Sequence, residues 1–456
     1  MALSANTVCE VRTDGSDTNG GGFTSGGSGT DWSQQAAAQY SVTDGVTNGT
    51  TTITSATANF GTDVVDNLIY VQGGTGSVSA NWYRITSRTN ATTIVVDRST
   101  GLTAGTGVTL TIGGALATPG GLGQLLAGAG VTGTKAHIKS GTYTLTTSST
   151  NVSGGPIALP NIGVQIYGYN STRGDLDHSR SLTNNPVVDA GSVGTINVWG
   201  MNVTNTALTQ LVSHITVDGN GQTDTVGFSS GNIGQSVLYH CLARDCTTDG
   251  FISNLCIGCR AEGCADGFDT CPVIGCVATT CTTAGFRFSN TDQIAGTHCL
   301  AYENTATGFI CNNAKGVLVN CTSHGNTGGT SDGFQVTTTR INIIGCVATS
   351  NGRYGFNNTS GTGRLIRCAA QGNSSGATNG TNDYLDNTAL SGDPYTNSGS
   401  DDYSPDNTAS EGAALRAAMP LLPGQTVSNL DSGAVQHVDP TGGGVLVHPG
   451  MSGRLI

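Results

Sequence analysis

The sequence predicts an all-β chain built on a parallel β-helix, a solenoid, with a small N-terminal β domain before it and an extended C-terminal tail after it. Three observations carry this reading. Between residues 237 and 376 one phrase recurs seven times: an apolar residue, a spacer, cysteine, a spacer, then alanine or a near substitute. It reads Tyr239-His240-Cys241-Leu242-Ala243, Ile257-Gly258-Cys259-Arg260-Ala261 and Ile274-Gly275-Cys276-Val277-Ala278, with looser copies at Cys299, Cys321, Cys346 and Cys368. Five residues after each cysteine stands a second marker, Cys246, Cys264 and Cys281 in the first three copies and Asn304, Asn326, Asn351 and Asn373 in the others. Six copies close with Gly-Phe, at Phe251, Phe268, Phe286, Phe309, Phe334 and Phe356.

The cysteines are spaced by 18, 17, 23, 22, 25 and 22 residues, a period that belongs to repeat architectures. Within each copy the apolar, Cys and Ala positions fall at i, i+2 and i+4, the period of a strand with one buried face. One short strand, a polar turn, and Gly-Phe opening the next strand make one coil. Stacked coils lie about 4.8 Å apart, so equivalent residues form ladders of cysteine, alanine and phenylalanine. Asparagine in the turn accepts left-handed geometry, and stacked amides bond to one another. The glycine before each phenylalanine suits a tight corner.

The remaining elements follow in chain order. Residues 1–35 are rich in Gly, Ser and Asp and read as an N-terminal arm. Residues 36–115 hold strand-like stretches at Thr50 to Thr54, Leu68 to Gln72, Trp82 to Thr86, Thr93 to Asp97 and Val108 to Ile112, hence a small β domain. Residues 116–385 read as the β-helix with a capping helix: Thr118 as N-cap, Pro119 at the first position, then Leu122, Leu125 and Leu126 before Gly128 and Gly130. Terminal repeats of a solenoid require such a cap. The coils begin near Ala136 and continue irregularly through Val164 to Gly168 and Ile215 to Gly219, giving about 11 coils over about 50 Å. Residues 386–456 read as a linker and tail, with a short helix over 411–424 and an end, Gly442 to Ile456, suited to docking on a neighbour.

Only 36% of the residues are hydrophobic and 11% charged, with 69 glycines. A solenoid tolerates this because its core is a narrow column. The net charge of −12 argues against a nucleic-acid partner, which wants a basic patch. No run of about 18 apolar residues predicts a membrane span. The start, Met1 to Thr7, lacks a basic segment and an apolar core, so a secretory signal is not expected. Thirteen of the 14 cysteines lie in the repeats and only Cys9 outside them. Their inward ladder position predicts free thiols acting as small hydrophobes, and turns Cys256-x-x-Cys259 away from half of a zinc site. No metal and no cofactor is expected.

Candidate chemistry lies with the acidic corners. Asp249, Asp266 and Asp332 each precede the Gly of a Gly-Phe corner and share one ladder position, with Asp245 and Asp269 near the first two. Asp249, Asp266 and Asp269 are the catalytic candidates: two carboxylates at about 5 Å suit a retaining glycosidase, wider pairs an inverting one, and a carboxylate group also suits calcium. The plain alternative is that Asp favours turns, and the sister residues Ala284, Thr307 and Tyr354 support it. His214, His240, His298 and His324 are read as solvated surface residues. Arg244, Arg260 and Arg287 are read as outward partners for the acids, and the sequon Asn202-Val203-Thr204 as a chance match.

The Cys-x-Ala…Asn…Gly-Phe coils resemble the right-handed parallel β-helix, pectate-lyase-like superfamily over roughly residues 135–385. The opening Glu10 to Phe23 and the closing Leu430 to Gln436 look like the ends of uncharacterised β-helix proteins of phage and planctomycete sequences. That resemblance implies a virion protein, an exposed spike, fibre or decoration subunit released by lysis. It would be a homo-oligomer, trimeric by analogy, held to other virion proteins through residues 36–115 and contacting host surface polysaccharide along the helix. His324-Gly325 is a faint echo of a polygalacturonase Gly-His-Gly, but the other signatures of those enzymes are missing. The alternatives are an extracellular polysaccharide lyase or glycoside hydrolase, and a bacterial surface adhesin or filament subunit.

Overall fold

The computed structural model describes residues 7–24, 31–76, 78–101, 103–176, 182–201, 208–231, 236–289, 293–312, 315–337, 341–359, 363–380, 383–385 and 388–415. The sequon at Asn202, the closing motif at Leu430 to Gln436 and the tail Gly442 to Ile456 lie outside them, as does most of the helix expected over 411–424. The chain forms two compact units, residues 1–237 and 238–456. Both are built from three parallel sheets visited in turn, once per coil, and this is the predicted right-handed parallel β-helix.

In the first unit, one sheet runs through Thr7–Val11, Thr134–Lys139, Val164–Tyr169 and Gln210–Ser213. The second holds Thr142–Thr144, Val187–Asp189 and Thr216–Asp218, and the third Ile157–Leu159, Ile196–Met201 and Thr225–Ser230. The N-terminal segment expected as an extended arm is therefore corrected in part. Thr7–Val11 pairs in parallel with Thr134–Lys139, with Cys9 opposite Ala136, and Gly22–Thr24 adds an antiparallel edge. The reason is local: Thr7, Cys9 and Val11 alternate and are fully buried, a strand pattern hidden in Gly-rich surroundings. Arg173 fixes the following segment by pairing with Glu10 and, at 2.8 Å, with Asp31.

Between these strands a closed antiparallel barrel takes the order Tyr40–Thr47, Thr52–Thr54, Thr93–Val96, Asn81–Asn90, Leu68–Gln72, Gly105–Ile112. Ile53, Phe60, Ile69, Tyr83, Ile94 and Leu110 fill it. The helix Pro119–Ala129 starts as its sequence dictates, with the Thr118 hydroxyl accepting from the Gly121 N–H and Pro119 in the first turn. Its leucines, Leu122, Leu125 and Leu126, are buried, and the helix packs on Ile157–Leu159, Asn81–Asn90 and Thr7–Val11.

In the second unit the repeat maps one to one onto coils. The second sheet runs from Leu242–Arg244 to Thr388–Ala389, and the third from Asp249–Ile252 to Gly376–Gly380. The first sheet of this unit runs from Leu255–Ile257 to Asp383–Leu385. Phe251, Phe268, Phe286, Phe309, Phe334 and Phe356 stand in register. Their rings stack with centroids 4.7–5.0 Å apart and planes within 11°. The asparagine markers form the expected amide ladder: Asn304 donates to Asn326 at 2.8 Å, Asn326 to Asn351 at 2.7 Å and Asn351 to Asn373 at 2.8 Å. All 14 cysteines are free and buried. Ladder thiols donate to backbone carbonyls, Cys259 to Leu238 at 3.4 Å and Cys276 to Cys256 at 3.3 Å, and pack as core residues.

The coil corners use a device the sequence only half displays. The residue before each ladder cysteine is left-handed: His240, Gly258, Gly275, His298, Asn320, Gly345 and Arg367 all have φ between 50° and 61°. The residue before each second marker is left-handed as well, from Asp245 (φ 51°) to Gly372 (φ 67°). Only Gly accepts this backbone without a Cβ penalty. Gly345→Ala is therefore expected to cost about 1 kcal/mol in an equilibrium denaturation, and Gly345→Asn less. The glycine of Gly-Phe has a different role from the corner expected of it. A Cβ on Gly267 would sit 2.5 Å from the Gly285 carbonyl and about 3 Å from the Ala261 and Ala278 methyls. Glycine there lets the third sheet close onto the alanine ladder.

The segment expected as a linker is also corrected. Tyr395–Asn397 and Asp402–Pro405 form an antiparallel hairpin, and Tyr395, Tyr403 and Leu415 pack on Leu300, Tyr302, Val347 and Ala369. These are outward residues of the second sheet. Outward apolar side chains need a cover, and two tyrosines in an otherwise polar segment supply it.

Candidate functional site

The site lies within the second unit, where the coil geometry assembles what the sequence placed at one ladder position. Asp249 and Asp266 are direct partners on neighbouring parallel strands, so their backbones are about 4.8 Å apart. Asp269 lies opposite Ile252 on one side and Arg287 on the other. Beyond Asp266 the ladder passes through Ala284 and Thr307, and Asp332 occupies the same place ahead of Phe334.

The three corner aspartates have different surroundings, and this separates turn chemistry from a site. Asp332 is fully buried and saturated: the Arg353 guanidinium donates through Nε at 2.7 Å and through Nη2, Asn357 Nδ2 donates at 2.6 Å and the Tyr354 N–H at 3.2 Å. It is a structural carboxylate. Asp266 is held by one guanidinium, with Arg287 Nε at 2.9 Å and Nη2 at 3.0 Å. Asp249 is only 9% exposed, yet among the described residues no donor or cation bonds its carboxyl.

Electrostatics follow from those contacts. Burial raises the Asp249 carboxyl to about 7, the negative charges of Asp266 and Asp269 push it the same way, and Arg287 opposes them. Burial also raises Asp266, against the pull of the Arg287 ion pair. Asp269 accepts at Oδ1 from the hydroxyls of Thr270, 3.0 Å, and Ser289, 2.9 Å. The cluster thus sets a carboxyl raised toward neutrality beside one ion-paired to a guanidinium. That is the electronic division an acid and a nucleophile or base require. Among the described residues no group of three or more His, Cys, Asp or Glu side chains is arranged to hold a metal ion. Calcium would have to displace Arg287 from Asp266.

The other candidates disperse. Arg260 pairs with Glu262 and donates to the Tyr302 hydroxyl at 3.3 Å. The histidines read as solvated need correction. His214 and His240 are buried, at 1% and 6% exposure, and both form left-handed corners. His324 is covered by the rings of Tyr395 and Tyr403 and bonds to Thr349 Oγ1 at 2.8 Å. Burial lowers its pKa. The signal for Arg287 is positional: it follows Gly285-Phe286 and so stands next to Asp269 in the outward row.

Comparison with known proteins adds context only. No family model matches the chain, and no curated relative does. Among solved structures it is similar to the A-module of mannuronan C-5 epimerase AlgE4 of Azotobacter vinelandii, at 14% identity over 56% of this chain and 87% of that one, TM-score 0.31. It is also similar to the periplasmic alginate epimerase AlgG, at 11% identity over 57% and 75%, TM-score 0.32. A third is the catalytic unit of the thermostable GH87 α-1,3-glucanase from Streptomyces thermodiastaticus, at 12% identity over 77% and 86%, TM-score 0.28. These likenesses are distant.

Proposed function

We propose that the chain acts on a glycan, with Asp249 as general acid and Asp266, ion-paired to Arg287, as its partner. The observation that supports this is the Asp249 carboxyl of a residue nine-tenths buried, unpartnered among the described residues, and adjacent to two other carboxyl groups. Structural carboxylates in this fold look like Asp332, saturated with donors. A carboxyl kept protonated near neutrality by burial and like charge is the arrangement general-acid catalysis needs. A strand spacing of about 4.8 Å favours retention of configuration over inversion, which needs roughly 6.5–9.5 Å between carboxyls.

The test is a panel of neutral, amino and acidic polysaccharides, followed by reducing ends and unsaturated products. Release of reducing ends that falls at least about 100-fold in Asp249→Asn supports the reading. Products formed equally by wild type and variant would remove it.

A second reading is favoured by the unbroken phenylalanine and asparagine ladders: a structural spike, fibre or decoration subunit of a virion that contacts host polysaccharide without cleaving it. Both readings are compatible with a homotrimer bound to other virion proteins. Binding without cleavage, together with location of the chain on native particles by electron microscopy, would favour the second.

A further inference from the structure

The charge arrangement around Asp249 bears on which glycan the site takes, an inference that rests on the glycan-acting reading above. Arg287 stands opposite Asp269 in the strand register but spends its guanidinium on Asp266, through both Nε and Nη2. Asp269 is left with two hydroxyl donors, Thr270 and Ser289, and no ion-pair partner among the described residues. It is part-exposed on the outward row, whose neighbours on either side of the pair are Ile252 and Ile310. The one cation of the cluster is neutralised while one carboxylate faces outward uncompensated. Asp249, 9% exposed and without a hydrogen-bond or ion-pair partner among the described residues, sits beside it with its carboxyl open to a ligand.

We infer that the site takes a glycan carrying protonated amino groups, with an ammonium meeting Asp269 next to the sugar linkage presented to Asp249. A uronate chain would bring its carboxylates against Asp269, and among the described residues of the cluster the one cation, Arg287, is already paired. An N-acetylated chain would leave Asp269 desolvated and unpaired. Both are disfavoured on electrostatic grounds.

The experiment compares three soluble probes on the full chain at mildly acidic pH and moderate salt: polyglucosamine, its N-acetylated form and polygalacturonate. Polyglucosamine is expected to bind at least about tenfold more tightly than the other two. That advantage should disappear in Asp269→Asn and persist in Asp63→Asn, an exposed acid of the barrel that controls for the net charge of −12. Equal binding of either other probe overturns the inference, and so does an advantage that survives Asp269→Asn. Cleavage of a neutral or acidic glycan that depends on Asp249 would leave the glycan-acting reading intact and remove only the amino-sugar preference. Absence of binding with all three removes the amino-sugar preference, and the polysaccharide panel above decides the glycan-acting reading separately.

Discussion

Asp249→Asn is expected to make the protein more stable at pH 8 while abolishing its action on glycan. The folded chain holds the Asp249 proton up to about pH 7, whereas an ordinary aspartate releases it near 3.8. A carboxyl raised in this way contributes stability that is fully present below about pH 4 and is lost as the pH climbs through 7. Above that, the folded state carries a buried charge against Asp266 and Asp269, and the unfolded chain does not. Asparagine removes the charge, and its amide can donate to either neighbour. The gain at pH 8 is on the order of 1–3 kcal/mol and shrinks toward zero at pH 4. Urea titrations of both proteins at the two pH values read it directly. A variant less stable than wild type at pH 8 would show that the Asp249 carboxylate is satisfied after all. Stability gained where function is lost is the pattern of a group kept for chemistry.

Phe286→Ala is expected to cost about 3–5 kcal/mol, the largest stability loss predicted for this chain. Its ring is fully buried and stacked on both sides, at 4.8 Å to Phe268 and 4.7 Å to Phe309. Coils above and below hold the backbone, so the void cannot collapse, and the cost includes the cavity as well as the lost burial. Phe356 ends the aromatic stack, with Thr378 next in register, and Phe356→Ala should cost less. Calorimetry or urea unfolding of the two variants gives the order. Equal losses would mean that the stack adds nothing beyond burial of each ring.

Much of this fold is written in the spacing of its cysteines. The i, i+2, i+4 period with a repeat of about 22 residues fixes strand, coil and inward face together, and the Phe, Ala and Asn ladders follow from stacking. Other elements were masked for physical reasons. The Thr7–Val11 strand is too short to stand out from its glycines, and Tyr40–Thr47, an eight-residue strand of the barrel, carries Ser, Thr and Asp among few apolar markers. The hairpin at 395–405 depends on two tyrosines whose apolar partners come from the second sheet, a contact that no local pattern announces. The left-handed corners are legible only where glycine fills them, since His240, His298, Asn320 and Arg367 adopt the same backbone.

The site was legible in part for the same reason. Ladder position brings Asp249 and Asp266 together from spacing alone. What distinguishes them from Asp332 is the supply of donors, and that depends on which arginine turns toward which carboxylate. Arg353 and Asn357 close around Asp332; Arg287 reaches Asp266 and leaves Asp249 to its burial. Spacing cannot report such choices.

The most direct measurement is the titration of the Asp249 carboxyl itself, by carbon NMR of protein labelled at the aspartate carboxyls, with Asp249→Asn identifying the resonance. A carboxyl that titrates at about 7, and moves toward the ordinary aspartate range when Asp266 is changed to Asn, is the predicted result. A carboxyl already ionised at pH 5, indifferent to Asp266, would contradict the assignment of Asp249 as the acid of this site.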